Sequence, residues 1–142
     1  MAYQLKYYLE FRTLKIGNTD LHRVELWQDT ATALVAEEIK GAQSPITIEM
    51  PDLSHKFQVV RGRGATLNLL SDTDMKFFAG LEHIDPQEFK VIYTVAGITK
   101  WVGYLNSDFQ SEPYDINFNY IITTTATDGF SLMDRYRFLQ SD

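Results

Sequence analysis

The residues of this 142-residue chain that could do chemistry are scattered along it rather than grouped. His22, His55 and His83 share no ligand spacing, and no His-Glu-x-x-His motif occurs. A zinc site would therefore need Asp or Glu ligands gathered by the fold. Each histidine reads more simply as a surface or structural residue. A serine nucleophile needs a positioned base and an oxyanion hole. No Gly-x-Ser-x-Gly elbow is present, and Ser44, Ser54, Ser71, Ser107, Ser111, Ser131 and Ser141 all stand in turn or cap contexts. A pair of carboxylates could hydrolyse a glycoside, but with 19 acidic residues some pair always falls close. Glu37-Glu38, Asp72 with Asp74, and Asp108 with Glu112 read as solvated face, cap and loop. The acidic stretch 106–115 lacks the regular ligand spacing of a calcium loop. Arg61-Gly62-Arg63-Gly64 is the one basic cluster with glycines. It is not a phosphate-binding GxxxxGK[ST] loop and reads as a bend or bulge with two arginines pointing to solvent or to an acidic neighbour.

Aromatic residues are the other resource, at 13% of the chain. Tyr7, Tyr8, Trp27, Tyr93, Trp101, Tyr104, Phe109 and Tyr114 could stack on a sugar, yet in a β domain most serve the core or an interface. Trp101 and Tyr104 fall on opposite faces of one strand, so at least one points away from a single-layer core. Interfaces enrich Tyr and Trp, which makes that residue an interface anchor before it is a sugar platform.

These side chains must be positioned by a fold that composition already constrains. Domains most often hold about 100–150 residues, so one domain spanning 1–142 is expected. A 44% hydrophobic content supports a core. The net charge of -6 gives the wrong sign for a general grip on nucleic acid or on an anionic membrane. With no cysteine there is no disulfide, thiolate metal site or cysteine nucleophile. No apolar run approaches the ~18 residues of a membrane span, and the alternating, charged N-terminus does not resemble a signal peptide.

Tyr3, Leu5, Tyr7, Leu9 and Phe11 alternate with polar residues and predict a half-buried strand whose five apolar members share one face. The turn residues Ile16–Asp20 lead to a returning strand over His22–Gln28. Ala31–Gln43 is ambiguous between helix propensity and alternation, and is read as strand. Further strands are expected at Pro45–Met50, Lys56–Val60 and Ala65–Leu70, with Pro51-Asp52 a turn. A capped helix follows Ser71, burying Met75, Phe78 and Leu81 or Ile84, and Pro86 prevents its continuation. Phe89–Val95 and Lys100–Leu105 form a hairpin about Ala96-Gly97. Asn117–Thr127 is a strand, and Phe130–Phe138 could begin a helix. The expected fold is mainly β, an antiparallel sandwich or split barrel with one or two short helices.

Three strings carry a family resemblance: Lys100-Trp101-Val102-Gly103-Tyr104-Leu105, then Tyr114 after Glu112-Pro113, then Thr125-Ala126-Thr127-Asp128-Gly129-Phe130-Ser131-Leu132. Together with the upstream segments Pro45–Ile48 and Gly64–Ser71, they resemble tail, baseplate and tail-hub proteins of phages and prophages of Bacteroidetes-type hosts. The resemblance spans nearly the whole chain. It implies a virion structural protein, made in the bacterial host cytoplasm and located in the tail, that forms a ring or hub. It implies no enzymatic activity and no cofactor. The expected partners are copies of itself and other tail proteins, not nucleic acid and not a membrane. Relatives of this type usually continue well past the Asp-Gly segment, so the chain is expected to be a stand-alone ring protein, a fragment, or the N-terminal domain of a longer tail protein. Arg61, Arg63, Trp101, Tyr104 and Tyr114 are the expected interface residues. A carbohydrate-binding module of a host-recognition apparatus is the alternative function. A carboxylate hydrolase is a third, disfavoured because spacing singles out no pair of acids.

Overall fold

The computed structural model describes residues 2–13, 17, 19–49, 62–73, 76–107 and 119–130. The first alternating segment forms β1 (Ala2–Arg12), which returns as β2 (Leu21–Thr30). Gly17, in the connection between them, takes a left-handed φ of 85°, which glycine adopts without steric cost. The single face expected for β1 is broken by a bulge. Leu5 pairs with Trp27 and Tyr7 with Leu26, leaving Lys6 out of register. One extra residue moves the following side chains to the other face. Tyr7 and Leu9 are buried and Phe11 packs against the core, whereas Tyr3 and Leu5 lie outward beside Asp29 and Trp27.

The other elements are β3 (Glu37–Glu38), β4 (Lys40–Glu49), β5 (Gly64–Ser71), α1 (Lys76–Leu81), β6 (Phe89–Val95), β7 (Ile98–Leu105) and β8 (Tyr120–Thr127). The strands make one eight-stranded sheet in the order β3-β1-β2-β6-β7-β8-β5-β4. Every pairing is antiparallel except the short parallel contact of β1 with β3. The expected mainly β architecture with a short helix is therefore present. The sheet folds over so that its two halves enclose one core, in which Leu9, Leu26 and Val91 meet Leu67, Leu69 and Ala126.

Its two ends approach each other at a seam. Glu37 and Glu38 pair with Tyr7 and Tyr8 at one end of the sheet, and Lys40 already pairs with Leu70 at the other. Ile39, 4% exposed, sits at the changeover, its N–H donating to Tyr8 O at 2.8 Å. The Ala31–Gln43 region read as strand is thus strand only from Glu37 onward, apart from Ile39. It serves as a strap between edges. β4 is irregular between Gly41 and Ile46, where Ala42–Pro45 bulge opposite Asn68. The Asn68 amide fixes that bulge by donating to Ser44 O at 3.0 Å.

The helix is shorter than its capping signal suggests. Phe77 and Leu81, four residues apart, are its buried face, each 2% exposed. Ile84 lies beyond the helix end and is 94% exposed, so it is not part of that face. Pro86 falls in the turn that follows, where Asp85 accepts from Gln87 N and Glu88 N. Lys6, displaced inward by its bulge, donates to Gly80 O at 2.6 Å and so ties the helix end to the sheet. Expectations for Pro51-Asp52, Lys56–Val60, Met75 and most of 106–115 and 130–138 fall outside the described residues.

Candidate functional site

β7 is paired unequally on its two sides. Against β6 it forms a ladder from Lys90↔Tyr104 to Val95↔Ile98, interrupted by a bulge that leaves Lys100 out of register between Thr99 and Trp101. Against β8 it pairs only at Tyr104↔Thr127 and Leu105↔Ala126, followed by the Asn106 N–H to Thr125 O at 2.9 Å. Ile98–Gly103 therefore presents a strand edge without a ladder partner among the described residues. Beyond Thr127 the chain leaves the sheet: the Asp128 N–H donates to Arg63 O at 3.0 Å, and the Asp128 carboxylate accepts from Arg63 N at 2.7 Å. This reciprocal lock diverts Gly129 and Phe130 into a helical turn instead of letting them continue beside β7.

The divergence opens a cleft of about 530 Å³ lined by Arg63, Lys100, Trp101, Val102, Asp128, Gly129 and Phe130. Its apolar lining is exposed, with Val102 38% and Phe130 55% accessible. Among the described residues its charges are Arg63 and Lys100, both cationic, and an Asp128 carboxylate already engaged with backbone. Trp101 forms one wall. The indole is buried, and Nε1 has no hydrogen-bond partner among the described residues. It reaches this position by lying across Gly103, its neighbour on the same face. A Cβ at Gly103 would collide with the Trp101 ring and would come within 2.6 Å of Thr127 O.

Of the five expected contact residues, the fold brings Arg63 and Trp101 to this cleft. Arg61 and Tyr114 lie outside the described residues. Trp101 and Tyr104 do occupy opposite faces of β7. The inward one is Trp101, so the outward aromatic is Tyr104. It joins an outer row with Tyr3 and Lys90: Tyr104 pairs with Lys90 across the ladder, and the Lys90 ammonium lies 5.6 Å from the Tyr3 ring centroid. The Tyr3 hydroxyl donates to Gln87 O at 2.6 Å. Burial, with Tyr104 and Asp29 adding to it, pushes the Tyr3 pKa up to about 12. Sequence reasoning missed Val102 and Phe130. For Val102 the available signal was an apolar residue on the outward face of a strand whose inward face was already filled.

A second opening follows the seam, a cleft of about 690 Å³ between the end of β1 (Glu10–Thr13) and the strap (Glu38–Pro45). Its acids are engaged or exposed. Glu10 is bridged by Arg23, which also holds Glu25, at 2.6 Å each, and Glu38 is exposed. The histidines stay apart. His22 Nδ1 meets Tyr93 Oη at 2.7 Å, His83 lies between Leu81 O and Leu105 O at 2.7 and 3.0 Å, and His55 is outside the described residues. Among the described residues no group of three or more His, Asp or Glu is placed to hold a metal ion. No helix among them is long and apolar enough to cross a membrane. Comparison with family models, with curated proteins and with solved structures gives no match.

Proposed function

We propose that this chain is a virion structural protein, a ring or hub component of a phage tail or baseplate that works by binding copies of itself and other tail proteins. The observation that carries the reading is the interrupted edge of β7. There a strand edge without a ladder partner, exposed apolar residues and two cations without an ion-pair partner, all among the described residues, stand together on a body braced by a continuous eight-stranded sheet. Backbone groups at such an edge are a template for pairing with another chain, and exposed apolar residues beside it favour burial over hydration. The resemblance of Lys100–Leu105 and Thr125–Leu132 to tail proteins converges on the same place, since both strings border this cleft. The same edge gives no support to transformation of a substrate. Among the described residues its titratable groups are two cations and one carboxylate that accepts from backbone.

Light scattering coupled to size exclusion, with electron microscopy of the peak fraction, tests the reading. A multimer with closed rings is expected at hundreds of micromolar. A strict monomer across the whole concentration range, with no ring in micrographs, would overturn it. Binding on a glycan array by the monomer would move the assignment to a carbohydrate-binding module.

A further inference from the structure

The cleft indicates more than a general tendency to associate. We infer that the β7 edge at Ile98–Gly103 receives the terminal strand β4 of a second copy of this chain, in a head-to-tail contact; this rests on the assembly reading above. The charge of the edge selects the partner. Lys100 and Arg63 flank the unpaired edge without an ion-pair partner among the described residues, and the one carboxylate these residues bring to the cleft, Asp128, accepts from Arg63 N. A two-fold contact of β7 with itself would bring Lys100 and Arg63 of both copies together, and like charges across paired strands are destabilising. The complement has to be an acidic, extended edge.

The sheet offers two terminal strands, β3 and β4. β3 has only two residues, and its Glu37 is already paired with Lys76. β4 fits better. Over Ile46–Glu49 it pairs with β5 alone among the described residues, Glu49 is exposed and has no ion-pair partner there, and its one lysine, Lys40, stands at the opposite end of the strand. Pro45 and the bulge before it separate this stretch from the seam, so Ile46–Glu49 is a short regular edge free to extend a neighbouring sheet. Joining β4 of one copy to β7 of the next uses two different surfaces. Such a heterologous contact repeats from copy to copy and closes into a ring when its rotation permits.

The test uses the full chain. Lys100→Glu and Glu49→Lys, both at exposed positions, are each expected to weaken self-association at least tenfold by light scattering. The double variant K100E/E49K restores the opposite-charge pairing and is expected to regain the wild-type mass. Circular dichroism confirms that each variant is folded. Independently of any substitution, amide hydrogen exchange of the wild type is expected to slow at Ile98–Gly103 and Ile46–Glu49 as concentration rises. Assembly of the wild type with unchanged masses for both single variants, or with protection gained only elsewhere, would overturn the β4–β7 contact while leaving the assembly reading in place. A wild type that never leaves the monomer would overturn both.

Discussion

Tyr3 shows how one displaced register gives a residue a new job. Without the Lys6 bulge it would point into the core; with it, the ring lies under the Lys90 ammonium and the hydroxyl donates to Gln87 O. A tyrosine held at about 12 against an ordinary value near 10 keeps its proton in the folded protein over a range where the unfolded chain has lost it. The folded state then binds more protons than the unfolded state, so stability falls as pH rises from about 10 to about 12. Tyr3→Phe is therefore expected to lose less stability than wild type between pH 9 and pH 11. Urea midpoints at the two pH values check this. Trp101 and Gly103 show what the sequence displayed at this scale. Their opposite relation to Tyr104 follows from a period of two. Which side faces the core follows from glycine two residues on, which leaves a slot for the indole. Tryptophan-x-glycine in a strand is thus a readable signal for a buried ring.

At the scale of elements, the hairpins were legible because their turns carry conformational information. Ala96 and Gly97 have φ of 50° and 80°, the left-handed pair that a two-residue hairpin turn with right-twisted strands demands. Gly97 adopts this freely, whereas Ala96 is strained by its Cβ. Ala96→Asn is expected to raise stability by about 0.5–1 kcal/mol, since Asn tolerates the left-handed region better than Ala. A shift of the urea midpoint at unchanged slope measures it. The helix was legible in existence and in its buried Leu81. The cap signal at Ser71–Asp74 precedes Lys76–Leu81, where Phe77, not read from the sequence, joins Leu81 inward. The bulge at Lys6 left no trace in the alternation, because Tyr3 and Leu5 are as apolar as the residues they were grouped with.

For the whole molecule, the strap decides how the sheet is held. Alternation in Val35–Lys40 suggested a strand, but no local pattern says that one strand will serve β1 for two residues and β5 thereafter. That partition is set by partners distant in sequence. Ile39, buried at the changeover, is the residue on which both ends depend. Ile39→Ala is expected to cost about 2–5 kcal/mol, the usual range for emptying a buried aliphatic site. Equilibrium urea unfolding followed by tryptophan fluorescence would register the loss. The unequal grip of the strap also matters for load. Against β1 it pairs at Tyr7 and Tyr8 and adds the Leu34 N–H to Gln4 Oε1 at 2.9 Å, while β5 and β8 are laced along eight residue pairs. Tension drawing the two halves apart would peel the wrap open at Glu37–Glu38 and leave the long seams intact. Under mechanical strain the body would yield like an unbuckled belt, not tear, and could close again when the pull stops.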